Sequence, residues 1–404
     1  MNILFISIST LPHISKHSIS LDLIHEFIKE GHNVYCISSL EKRDNRNTFL
    51  SIEEGCKVLR VKIGNNKKTN KWIKGITNVL QPQLYILAIK KYFADVKFDL
   101  VIYPTPPVTQ VDTVRYIKKR DNAKSYLLLK DIFPQNAIDI GFLKKTGFKG
   151  IFYKYFCWKE KNLYKISDYI GCMSQANVDY IIKHNPKLDK DKVEICPNSV
   201  EIQDMRISKE ENFKMREKYG LPLDKKIFVY GGNLSKPQGI PFLIECLKAQ
   251  MSNRDAFFLI IGDGTDYKKL EGFIDTNNPD NIKLMKRLPK EDYDKLVSAC
   301  DVGLIFLDHR FTIPNFPSRL LSYMQSGLPV LACTDINTDI GKVIIGGDFG
   351  WWCESTDVDA FKNLVSNALN SDLKKLGQNS MDYLKNNYDS KSAYKTILKS
   401  ISKK

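Results

Sequence analysis

No run of about 18 uncharged apolar residues occurs in this 404-residue chain, so a membrane-spanning helix is not expected. Its nine cysteines contain no C-x-x-C pair and total an odd number, which argues against both a zinc ribbon and a closed disulfide framework. They sit in apolar, strand-like settings such as DYIGCMS and VEICPNS and are expected to be reduced and buried. There is no Walker sequence and no G-x-G-x-x-G, which sets aside the P-loop and the common dinucleotide fingerprint. Internal repeats and low-complexity tracts are missing, as is any recognised nucleic-acid module. The opening MNILFISIS lacks a basic leader and alternates like a strand, so it is expected to be the first core strand of a cytosolic protein.

The length exceeds what a single core usually supports, and two domains of about 200 residues follow as the expectation. Charge divides unevenly between the halves. Residues 1 to 200 hold 32 Lys and Arg against 19 Asp and Glu, or +13, whereas the remainder holds 29 against 27, or +2. A basic half joined to a near-neutral half suggests that one domain faces a polyanion, either nucleic acid or an anionic membrane, and the sign of the charge does not choose between them.

Short apolar, β-branched segments alternate with helical patterns: NILFISIS, NVYCISS, DLVIYPT, SYLLLKD, DYIGCMS and VEICPNS, then KIFVYGG, AFFLIIGDG, NIKLMKR, DVGLIFL and LPVLAC after a polar stretch. That alternation implies βαβ units and parallel sheets, and its restart half-way implies two of them. The expected domains are 1–200 and 201–387, with a terminal helix over 388–404 packing back on the first.

In such sheets ligands sit beyond the carboxyl ends of the strands, so the turns after strands are where chemistry belongs. Gly231, Gly232, Asn233, Lys236 and Gln238 follow one strand; the glycines allow close backbone approach and the lysine offers charge to a phosphate. Gly262 follows the next strand in an ordinary Gly-Asp-Gly turn. Ser318 and Arg319 open a short helix after Pro317, where free amides, a hydroxyl and a guanidinium suit an anion. Asp131 after SYLLLK is the candidate carboxylate, and His13 and His17 occupy the loop after the first strand. The two D-x-D occurrences, Asp189 with Asp191 and Asp357 with Asp359, read as surface caps.

The order P-N-S, GGNLSKPQG, GDG and FPSRLLSYMQSGLPVLA resembles glycosyltransferase family 4, specifically its capsule and O-antigen branch. ISLDLIHEFIKEGHNVYCISS, KDIFPQNAIDIG and KEKNLYKISDYIGCMS resemble N-terminal segments of the same family, and the similarity spans roughly residues 1 to 390. The resemblance implies an α/β, GT-B architecture: two Rossmann-like doubly wound domains facing across a cleft, with donor in the C-terminal domain and acceptor in the N-terminal one. It implies that Gly231, Gly232, Asn233 and Lys236 border a nucleotide diphosphate and that Ser318 and Arg319 complete the clamp. The backbone at Arg287 and Leu288 would face the nucleobase. Many members carry an Arg and a Lys where this chain has Asn233 and Gln238. The usual glutamate pair would fall near Pro314 and Ser322.

Retaining transfer without a metal or other cofactor is the mechanism the resemblance implies, the leaving diphosphate being stabilised by preorganised positive charge. Asp131 would orient or deprotonate the acceptor hydroxyl; His13 and His17 would face the acceptor. The expected donor is a UDP-linked sugar and the expected acceptor a polyprenyl-diphosphate-linked saccharide, with no nucleic acid partner. Trp72, Ile73 and Ile76 in a basic, aromatic segment are the candidates for peripheral contact with the inner face of an anionic cytoplasmic membrane. The apolar face of residues 148–163 reads instead as domain core. A UDP-sugar epimerase of the same fold, or a basic binding protein with degenerate donor residues, are the alternatives.

Overall fold

The computed structural model describes residues 1–65 and 71–403, the side chains of residues 71–74, 148 and 149 apart. Among the described residues the chain forms two compact units. Unit 1 comprises Met1–Glu201 and the chain from Ser390 onward, and unit 2 comprises Ile202–Asp389.

Unit 1 is built on eight strands: β1 (Asn2–Ile6), β2 (Asn33–Glu41), β3 (Phe49–Glu53), β4 (Cys56–Ile63), β5 (Leu100–Thr105), β6 (Lys124–Leu129), β7 (Tyr169–Cys172) and β8 (Val193–Ile195). Their spatial order is β3-β4-β2-β1-β5-β6-β7-β8. Every pairing is parallel except the β3–β4 hairpin. That hairpin is absent from the strands expected from sequence. Its local signal is Glu54-Gly55, both left-handed at φ 46° and 78°, the conformation a two-residue hairpin turn requires. The closing helix Ser390–Ile401 packs on the helix Ile19–Lys29, and Tyr394 meets Phe27 edge-on at 4.9 Å.

Unit 2 contains β9 (Lys226–Asn233), β10 (Ala256–Asp263), β11 (Ile282–Lys286), β12 (Val302–Phe306), β13 (Val330–Thr334) and β14 (Gly350–Glu354). The order β11-β10-β9-β12-β13-β14 is the doubly wound arrangement in which the chain winds outward from the first strand and then reverses. All its pairings are parallel. Phe228 and Phe258 stack at 5.3 Å between centroids and are fully buried, each contributing about 1.5–3 kcal/mol through removal from water.

Both sheets therefore have a point where the winding reverses, β1/β5 in unit 1 and β9/β12 in unit 2. The loops leaving those strands splay apart and leave a crevice at the carboxyl edge. The turns after β9 and β12, like those after β1 and β5, border such a crevice.

Candidate functional site

At the β9/β12 reversal, Gly231 and Gly232 meet Arg319, which opens the helix Arg319–Gln325. An added Cβ on Gly232, whose φ is +138°, would lie 3.0 Å from Nη2 of Arg319. On Gly231 it would fall 1.9 Å from the hydroxyl of Tyr293. The missing side chains thus hold open the space these two groups occupy.

Arg319 lies over the ring of Tyr230, with 4.3 Å from its guanidinium carbon to the ring centroid, a cation–π contact. Tyr323, four residues further along the same helix, accepts a hydrogen bond from the Gly231 N–H at 3.1 Å and faces the carbonyls of Val229 and Leu304 at 3.2 and 3.1 Å. Tyr230 donates to the Asn233 carbonyl at 2.8 Å. Burial pushes the Tyr293 hydroxyl up to about 12, with the Arg319 charge acting in the opposite direction. These phenols therefore stay neutral and can frame, but not neutralise, the cation.

Nη1 of Arg319 is buried and has no hydrogen-bond partner. Leaving such a donor unpaired costs about 1–3 kcal/mol, and three neutral tyrosines do not remove that cost. A bound anion would. The helix that Arg319 opens is only seven residues long, and the Ser318 hydroxyl, exposed at its cap, makes no capping bond. The guanidinium, rather than the end of this short helix, is therefore the group in this turn suited to an anion.

In the loop after β9 the neutral residues Asn233 and Gln238 are tied together through the side chain of Ser235. The Asn233 amide donates to Ser235 at 2.7 Å, and Ser235 donates to Gln238 at 3.1 Å. Lys236 is exposed at the start of the short turn 236–238. Gly262 is required by packing, because a Cβ there would sit 2.0 Å from the Gly232 carbonyl oxygen; its place beside the site is indirect. Arg287 is exposed and Leu288 half-buried on the loop after edge strand β11. Pro314 is buried and Ser322 half-buried.

In unit 1, Asp131 follows β6 and accepts from the Asn136 amide at 2.5 Å, while its Oδ1 is buried and unpartnered. Burial raises its pKa to about 6, against the lowering effect of the Asn136 and Ile132 hydrogen bonds. Burial also brings the neighbouring Lys130 down to about 8. Lys130 lines a small hollow of about 40 Å³ with Ser7, Leu11, Ser20 and Pro104. The loop after β1 is fixed from the helix Lys71–Tyr92, where Tyr85 donates to the Ser7 carbonyl at 2.7 Å and Gln81 to the Ile8 carbonyl at 3.0 Å. His13 is exposed, its Nδ1 2.9 Å from the Ser15 hydroxyl. His17 lies at the foot of the next helix beside Asp22.

The Trp72 and Ile73 side chains lie outside the described residues. Ile76 is 60% exposed, and with Val79, Leu80 and Leu87 it forms an exposed apolar stripe on the helix Lys71–Tyr92. The expectation that the apolar face of 148–163 is core requires correction: Leu163 is fully buried and Tyr155 and Phe156 are half-buried, but Ile151 and Phe152 are exposed. The face rotates out of the core toward the start of its helix, Gly147–Ile166. Asp189 and Asp357 act as caps, accepting from the backbone N–H groups of Asp191 and Ala360.

Sequence reasoning missed the three tyrosines. Tyr230 precedes the glycine pair in an apolar strand and Tyr293 lies in a polar helix, so nothing local distinguishes them from core or surface aromatics. The steric need for Gly231 opposite Tyr293 appears only in three dimensions.

Residues 211–387 match the family model of glycosyl transferases group 1. The chain is 23% identical over 340 residues, 84% of this chain and 81% of the relative, to the probable glycosyltransferase WbjE of Pseudomonas aeruginosa. It is 21% identical over 251 residues, 61% of this chain and 60% of the relative, to the putative colanic acid biosynthesis glycosyl transferase WcaI of Escherichia coli (strain K12). In structure it is similar to sucrose-phosphate synthase from Thermosynechococcus elongatus, with a TM-score of 0.77 at 13% identity, covering 98% of this chain and 97% of that one. HepE of Anabaena, solved in complex with UDP and glucose, gives a TM-score of 0.70 at 14% identity, covering 100% and 99%. At these identities the structural likenesses establish the fold.

Proposed function

We propose that this chain, a glycosyltransferase of the GT-B fold whose residues 211–387 form a glycosyl transferases group 1 domain, moves a sugar from a UDP-linked donor to a polyprenyl-diphosphate-linked saccharide in surface polysaccharide synthesis. The observation that carries the donor assignment is the buried, unpartnered Nη1 of Arg319 beside the Gly232 backbone at the β9/β12 reversal. A diphosphate placed there accepts from the guanidinium and lies against a backbone with no side chain in the way. Lys236 supplies a second charge. The colanic acid assignment of WcaI and the UDP complex of HepE support the polysaccharide context and the nucleotide.

Departure of the diphosphate leaves positive charge at the anomeric carbon and negative charge on the leaving oxygen. Arg319 is fixed by Tyr230 before the reaction and meets that developing negative charge without reorganising, which is where preorganised groups act most strongly. No metal is needed for this, and the transfer proceeds with retention. Asp131, with its pKa near 6, is ionised at neutral pH and receives a proton from the acceptor hydroxyl. The Arg287 and Leu288 backbone receives the base, and His13 and His17 border the acceptor.

The excess of basic residues before residue 200 and the exposed stripe at Ile76, Val79, Leu80 and Leu87 support peripheral attachment to an anionic membrane at its cytoplasmic face. Among the described residues no helix is long and apolar enough to cross a membrane.

The test is to incubate the purified chain with UDP-, GDP- and dTDP-sugars and a polyprenyl-linked saccharide acceptor in EDTA. Transfer from one UDP-sugar, with retained configuration by NMR, is expected. Altered sugar formed without acceptor would replace transfer by epimerisation, and failure with every donor would leave a binding protein.

A further inference from the structure

Unit 1 carries a second cluster of chemically active side chains that transfer does not use as a set. His17 lies just before the helix Ile19–Lys29, Asp22 and His25 lie within it, and Glu201 is the last residue of unit 1 before the chain enters unit 2. One potential ligand atom from each of the four lies within 4.8 Å of the others.

Three features go beyond proximity. Nδ1 of His17 is 3.1 Å from Oδ1 of Asp22 and 3.2 Å from Oε2 of Glu201. Both carboxylates thus converge on one imidazole nitrogen. Asp22 is buried and held from behind, its Oδ1 accepting from the Ser18 N–H at 3.2 Å and its Oδ2 from the Glu201 N–H at 3.1 Å. His25 is oriented independently of the cluster: Nε2 lies 2.5 Å from the carbonyl oxygen of Ile14. A carbonyl only accepts, so Nε2 carries the proton and Nδ1 keeps its lone pair. Among the described residues that lone pair has no hydrogen-bond donor. An imidazole whose far nitrogen donates to a backbone carbonyl is the usual support of a metal-binding histidine.

We propose that Nδ1 of His17, Nδ1 of His25 and one carboxylate oxygen each from Asp22 and Glu201 bind a divalent transition-metal ion of the zinc class. Two imidazoles and two carboxylates in four positions suit zinc, whereas magnesium and calcium prefer all-oxygen shells of six or more. On binding, the Nδ1 proton of His17 moves to Nε2 or to solvent, and the metal replaces the hydrogen bonds to Asp22 and Glu201. With four protein ligands the site is closed, so the ion is structural. It ties the end of the loop after β1, the first turns of the following helix and the last residue of unit 1 into one element. This site lies in a different unit from the donor residues and takes no part in departure of the diphosphate.

The full chain, stripped with chelator and dialysed, is titrated with ZnCl2 by calorimetry and its metal content measured; MgCl2 is the comparator. Cys157→Ser provides the background, because Cys157 is the only cysteine of the nine that is not fully buried. The expected result is one zinc per chain, a raised melting temperature, no response to magnesium, and at least a tenfold loss of zinc affinity in His25→Gln and in Glu201→Gln. Glu201 is exposed, so the second variant folds even if the first does not. Cobalt should give the visible absorption of a four-coordinate site without a thiolate charge-transfer band. Absence of zinc binding, unchanged affinity in Glu201→Gln, or a thiolate spectrum would each overturn the proposal.

Discussion

Replacing Arg319 by Met keeps most of the stem and removes the charge. Two effects on the unliganded fold oppose one another. The cation–π contact with Tyr230 is lost, at about 0.5–2 kcal/mol, and the unpaired buried N–H is relieved, returning about 1–3 kcal/mol. The apo stability should therefore lie between a loss of about 1 kcal/mol and a gain of about 2.5 kcal/mol. A charge-assisted hydrogen bond to a diphosphate is worth about 1.5–3 kcal/mol, so UDP affinity should fall roughly 10- to 150-fold. Urea unfolding with and without UDP reads both quantities. With ligand at about 100 times the wild-type Kd, the wild type gains about 2.7 kcal/mol; the gain drops to about 1.4 at tenfold weaker binding and about 0.4 at a hundredfold. An apo loss of about 3 kcal/mol or more with an undiminished UDP gain would make Arg319 a structural residue and refute this reasoning.

Other perturbations follow from the same geometry. Asp131→Asn should abolish most transfer, by at least about a hundredfold, while stabilising the fold above pH 6. The folded carboxyl binds its proton more tightly than the unfolded one, so its contribution is present below pH 3.8 and lost as pH rises to about 6; in urea melts at pH 7.5 the variant should gain about 1–3 kcal/mol, and a variant less stable than wild type would contradict the assignment. Gly262→Ala places a Cβ 2.0 Å from the Gly232 carbonyl, so chemical denaturation should register at least about 1–3 kcal/mol of overpacking and UDP binding should weaken with it. Ile76→Glu with Leu80→Glu should reduce co-sedimentation with anionic vesicles at least about tenfold without altering UDP binding; equal sedimentation would remove the stripe from any membrane role.

The parallel sheets were legible in the sequence because apolar β-branched runs alternate with helical patterns, and the reversal at β9/β12 explains why GGN and Arg319 lie close together. The β3–β4 hairpin escaped notice because β3 has only five residues and β4, although eight long, is interrupted by Lys57, Arg60 and Lys62, even though Glu54-Gly55 carries the turn chemistry. β14, GWWCE, escaped because its residues read as ordinary aromatics. The tyrosines around Arg319 could not be found from local pattern, since their role depends on three segments converging on two glycines. The same holds for His17, Asp22, His25 and Glu201: the first three are adjacent in sequence and read as a loop followed by an amphipathic helix, and the fourth arrives only when β8 brings the chain back. Charge asymmetry was visible in composition, but the exposed face of the Lys71–Tyr92 helix required the fold.

The most direct test of the account is calorimetric titration of the wild-type chain with UDP, UMP and uridine in EDTA. The account predicts UDP binding that needs no metal and weakens by at least about tenfold when the second phosphate is missing, because Arg319 and the Gly232 backbone hold the diphosphate rather than the nucleoside. Equal affinity for UDP and uridine, or no binding by UDP at all, would contradict it.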